Sequence, residues 1–106
     1  MDQDPNNSPF SAAELLKIRD SLQLIRVAMS ERPDVTPEQL DLISRKLDEM
    51  QASSERLGRK DWMNLAVGTL TGIVVNAALG PDIGKILFQA AGAALSWLIG
   101  NTLRLL

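Results

Sequence analysis

The chain has 106 residues, a net charge of −2, and no cysteine, histidine or tyrosine. That length suits one small domain or two helical hairpins. The composition excludes disulfides, Cys/His zinc sites and histidine acid–base chemistry, and the acidic balance argues against a nucleic-acid partner. The missing cysteines fit a reducing compartment.

The charges are unevenly placed. Residues 1–61 hold 21 of the 24 charged side chains, and residues 62–106 hold only Asp82, Lys85 and Arg104. The chain therefore reads as two pieces of different chemistry. Its start, MDQDPNNSPF, lacks a basic region followed by an apolar one, so no secretory signal peptide is expected. Residues 1–9 are polar, contain Pro5 and Pro9, and show no apolar periodicity, which predicts a disordered tail.

The first helix opens on a capping box, Ser11 with Glu14, and Phe10 and Leu15 have the spacing of a hydrophobic staple. Leu15, Ile18, Leu22, Ile25 and Met29 then recur at steps of three and four, a heptad seam. Pro33 ends the helix. The second helix repeats the design, with Val35 as staple, Thr36 as cap, Pro37 at the first helical position and Gln39 closing the box. Its seam is Leu40, Ile43, Leu47, Met50 and Leu57, with Ser54 between the last two. Two narrow stripes joined by a short loop predict an antiparallel, coiled-coil-like hairpin over residues 10–58.

A third helix is expected from near Asp61, which would cap it. Gly58 either separates it from helix 2 or lies within one long helix, and the sequence allows both. Gly80 suits the C-terminal cap of helix 3, and Pro81 starts a fourth helix running to near the C-terminus. The expectation is an all-α protein of four helices arranged as two antiparallel hairpins. The second hairpin, residues 61–106, is apolar and expected to insert into a membrane.

The case for a membrane rests on three features. The uncharged runs, residues 62–81 and 86–103, are 20 and 18 residues long, and twenty helical residues span about 30 Å, the thickness of a bilayer core. The composition makes each span marginal alone, since Asn64, Asn76 and the glycines offset much of the apolar contribution. The polar residues also fall in stripes. Asn64, Gly68, Gly72, Asn76 and Gly80 step by four, and Lys85, Gln89, Gly92, Ser96, Gly100 and Arg104 form a second stripe. Glycine, asparagine and serine are poor helix formers that gain nothing on a solvated face, whereas in a helix–helix contact they allow close approach and hydrogen bonding. Asn64, Gly68, Gly72, Asn76, Gly92, Ser96 and Gly100 are therefore candidate helix–helix or oligomer contacts. Finally, Arg59, Lys60, Trp62, Trp97 and Arg104 lie at one end of the predicted hairpin, as interfacial aromatic and basic residues do on a cytoplasmic membrane face. The competing reading makes the tryptophans core residues and the basic cluster a solvated loop.

No catalytic constellation, phosphate-binding loop or calcium loop is present, so no enzyme activity, cofactor or metal is expected. Two readings fit. The first is a small protein that is soluble before insertion, then membrane-bound with both termini cytoplasmic, oligomerising as a pore-former or anchor. In general design it resembles holin-like and other small pore-forming effectors. The second is a water-soluble homo-oligomeric interaction module whose apolar C-terminal helices are buried between subunits. Under either reading the partners are further copies of the chain, with a lipid bilayer in the first, and the 15–57 seam offers a docking face for another protein.

Overall fold

The fold is taken from a computed structural model that describes residues 7–98. It is all-α. Four long helices are α1 (Ala12–Ser30), α2 (Pro37–Ser54), α3 (Arg59–Asn76) and α4 (Pro81–Ala94). A short further helix opens after Leu95 and includes residues 96–98, which makes five helices among the described residues where four are predicted. The predicted fourth helix is broken at Leu95, whose φ of −101° and ψ of 12° leave the helical region.

Both predicted capping boxes form. The Ser11 hydroxyl accepts from the Glu14 N–H at 3.1 Å, and Glu14 accepts from the Ser11 N–H at 2.9 Å. Thr36 and Gln39 repeat this at 3.1 and 2.9 Å. Gly58 resolves the open question about continuity: α2 ends at Ser54, and α3 begins at Arg59 with Gly58 at its N-cap. This start lies two residues before the predicted one. Asp61 sits in the first turn instead of capping it.

The turn after α3 also differs from expectation. Ala78, not Gly80, takes the left-handed conformation, with φ 53°. The Ala78 N–H donates to the Val75 carbonyl at 3.2 Å and the Leu79 N–H to the Val74 carbonyl at 3.0 Å, a Schellman closure with Leu79 tucked inward. Gly80 becomes the N-cap of α4.

Packing joins the two predicted halves. The helix α1 lies against both α2 and α4, α2 lies against α3, and the contact between α3 and α4 is sparser than any of these. The described part of the 61–106 segment thus packs more on the first hairpin than on itself. Its two helices are neighbours by connection, but they bury their apolar faces on the first hairpin. A single core results, containing Ile18, Leu22, Ile25 and Met29 of α1, Ile43, Leu47 and Met50 of α2, Trp62, Ala66, Leu70 and Ile73 of α3, and Ile83, Leu87 and Ala91 of α4, followed by Leu95 and Leu98. Burial of this set is the main driving force for the fold.

The expected transmembrane hairpin is not seen among the described residues. Among the described residues, no helix is long and apolar enough to cross a membrane. The helix α3 has 18 residues but begins with Arg59, Lys60 and Asp61, and α4 has only 14 residues. The turn and the break at Leu95 divide the uncharged runs before either reaches a bilayer's width.

Candidate interaction surface

The predicted seams lie within the chain's own core. Ile18, Leu22, Ile25, Met29, Ile43, Leu47 and Met50 are buried, and Leu15, Leu40 and Leu57 pack against them half-buried. An ion pair at the side of this seam, Arg26 to Asp48 at 2.6 Å, ties α1 to α2. Among the described residues, the seam is thus largely taken up by the chain's own packing.

Three of the candidate membrane-interface residues, Trp62, Trp97 and Arg59, have partners within the chain. Trp62 is fully buried and donates its indole N–H to the Met50 carbonyl at 2.8 Å. Trp97 is half-buried, donates to the Ser21 hydroxyl at 2.9 Å, and carries the Lys17 ammonium 5.4 Å over its ring. Arg59 pairs with Glu14, and its guanidinium lies 5.4 Å over the Phe10 ring. Lys60 is exposed in the first turn of α3. Arg104 and Gly100 lie outside the described residues.

The small-residue stripes face outward. Asn64, Gly68, Asn76, Gly92 and Ser96 are exposed and Gly72 is half-buried. A Cβ added to Gly68 or Gly92 would meet nothing within 4 Å, so neither glycine admits a neighbouring helix of its own chain. The glycine that does is Gly84, which neither stripe includes: a Cβ there would lie 3.3 Å from the Val74 side chain. Gly84 therefore sets the closest approach of α3 and α4, beside their connecting turn.

Beyond that contact the two helices part and leave an apolar groove of about 90 Å³. Its floor is Ala66, Leu70, Ala91 and Leu95, all buried. Its rim is Met63, Val67, Phe88 and Gly92, with Val67 55% and Phe88 40% exposed. None of these side chains carries charge, and between Trp62 and Leu98 the only charges are Asp82 and Lys85 at the turn. A second groove, of about 400 Å³ between α2 and α3, is polar by contrast. It is lined by Lys46, Glu49, Asn64, Leu65, Gly68, Thr69, Gly72 and Asn76. Lys46 and Glu49 neutralise each other there at 3.2 Å.

Sequence reasoning overlooked the α3–α4 groove, because it places those helices against each other. The available signal was the spacing of Met63, Val67 and Leu70 on one face of α3 and of Phe88, Ala91 and Leu95 on one face of α4. Among the described residues, no group of three or more metal-binding side chains comes together. Comparison with protein-family models, curated proteins and solved structures gives no match.

Proposed function

We propose that the chain is a helical interaction module that associates with further copies of itself through the outer surface of α3 and α4. The observation that carries this reading is the charge-free α3–α4 groove, with Val67 and Phe88 exposed on its rim. Water-exposed faces of a soluble bundle ordinarily carry Lys, Glu and Arg, as the surface of α2 does here, whereas α1 mixes Lys17, Arg19 and Asp20 with exposed Leu16, Leu24 and Val27. A contiguous apolar surface without charge is the usual mark of a contact face. A second copy suits it for two reasons. The surface offers both projecting side chains and a recess, so a two-fold pairing can seat the Phe88 of each copy against the groove of the other. It also presents no charge that a charged partner would complement.

Insertion of the 61–106 segment into a bilayer, as a pore or an anchor, requires the bundle to come apart first, because α3 and α4 bury their most apolar faces on α1 and α2. Fractionation and sedimentation separate the two readings. The self-association reading expects a defined oligomer in detergent-free buffer and none of the protein in carbonate-washed membranes. Retention in those membranes, or a monomer at every concentration, would overturn it.

A further inference from the structure

Residues 7–10 form a strap across the start of α3. The Asn7 side chain accepts from the Asp61 N–H and donates to the Asp61 carboxylate, both at 2.9 Å. The Arg59 N–H donates to the Ser8 carbonyl at 3.1 Å, and Pro9 bridges to Gly58. A Cβ at Gly58 would fall 1.9 Å from the Asn7 carbonyl oxygen, so only glycine permits the strap to lie there. Phe10, 9% exposed, meets the buried Trp62 edge to face with ring centroids 5.9 Å apart. The helix α3 has no side-chain cap of its own, and the strap supplies one from 54 residues upstream. Residues 7–9, expected in the disordered tail, therefore have fixed partners.

Two charged residues lock the strap. The Arg59 guanidinium donates to the Ser8 hydroxyl at 3.2 Å, to the Pro9 carbonyl at 3.0 Å and to the Glu14 carboxylate. Glu14 in turn closes the capping box of α1. Both side chains of this pair are only 18% exposed.

We propose that residues 7–10, Glu14 and Arg59 form a releasable clasp: loss of the Glu14 charge frees the strap from α3 and opens this end of the bundle while the remaining core stays folded. Burial alone would raise the Glu14 carboxyl, but the Ser11 N–H, the Arg59 charge and the side-chain hydrogen bonds of both outweigh it and hold the group below its usual value of 4.5. A lowered value in the folded state means the carboxylate stabilises the clasp above pH about 4.5 and loses that effect as pH falls through the folded value. Other charges near this end are already engaged or belong to the same turn. Lys17 of α1 lies over Trp97, Arg19 pairs with Asp20, and Arg56 at the end of α2 donates to Ser53, beside Glu55. On α3, Lys60 and Asp61 follow Arg59, with Asp61 held by Asn7, and among the described residues α4 brings no charge to this end.

Amide hydrogen exchange on the full chain tests the clasp. The Arg59 and Asp61 amides, bonded to Ser8 and Asn7, should lose protection by up to about tenfold per pH unit below the usual glutamate range, while Leu70 in mid-α3 stays protected. Glu14→Gln keeps a residue suited to the capping box but removes the charge. It should give the two amides low protection at neutral pH and abolish their pH dependence. Exchange of the Arg59 and Asp61 amides in step with Leu70 at every pH, or an unchanged pH dependence in Glu14→Gln, would overturn the proposal.

Discussion

The side-chain amide of Gln39 joins two helices: its oxygen accepts from the Thr36 N–H at 2.9 Å and its nitrogen donates to the Ala77 carbonyl at 3.0 Å. Gln39 thus closes the capping box of α2 and binds the end of α3. Glu14 holds the corresponding place in the box of α1 and binds the start of α3 through Arg59. Both ends of α3 are therefore pinned by capping-box residues, its start by that of α1 and its end by that of α2. Gln39→Glu separates the two roles, because a carboxylate still accepts from Thr36 but cannot donate to Ala77. The expected loss is about 1–2 kcal/mol in chemical denaturation at neutral pH, with the α2 cap retained. A stability equal to that of the unsubstituted chain would show that the Ala77 bond contributes nothing.

Ala78 tests the turn between α3 and α4. It holds φ 53°, a conformation that penalises a side-chain-bearing residue. Ala78→Gly relieves that penalty but makes the unfolded chain more flexible. The net gain should be about 0.5–1 kcal/mol, read as a rise of several degrees in Tm by calorimetry. A fall in Tm would mean that the turn is not left-handed at this residue.

Local signals in the sequence were legible because they act over three or four residues. Ser11 with Glu14 and Thr36 with Gln39 mark both helix starts, and the seam from Leu15 to Met50 marks the faces that become core. The pairing of helices was not legible in the same way. An apolar face on α3 or α4 shows that the helix must be covered, but not by which neighbour. Trp62 illustrates the loss of information: beside Arg59 and Lys60 it reads as an interfacial residue, yet its indole N–H finds the Met50 carbonyl inside the bundle. The strap is a second case. Asn7 sits in a polar segment without periodicity, and its partner lies 54 residues away. Gly58 was visible only as a helix breaker, although the close approach of Asn7 is what requires it.

Gly68 distinguishes an exposed helix position from a contact position. A Cβ there meets nothing within 4 Å. Gly68→Ala should therefore stabilise the folded chain by about 0.5–1 kcal/mol through helix propensity alone, without altering association. Thermal unfolding and light scattering on the same samples measure both quantities. A loss of oligomer would place the Asn64–Gly68–Gly72–Asn76 stripe at the contact between copies instead.

Val67 and Phe88, on the rim of the α3–α4 groove, are the proposed contact between copies. Both are exposed in the single chain, so Val67→Glu with Phe88→Glu adds charge to the surface without placing it in the core. Sedimentation equilibrium in detergent-free buffer tests this most directly. Self-association through this groove predicts an oligomer for the unsubstituted chain, and for the double variant a monomer that keeps its helical circular dichroism. An unsubstituted chain that sediments as a monomer, or a double variant that associates as strongly as its parent, would contradict it.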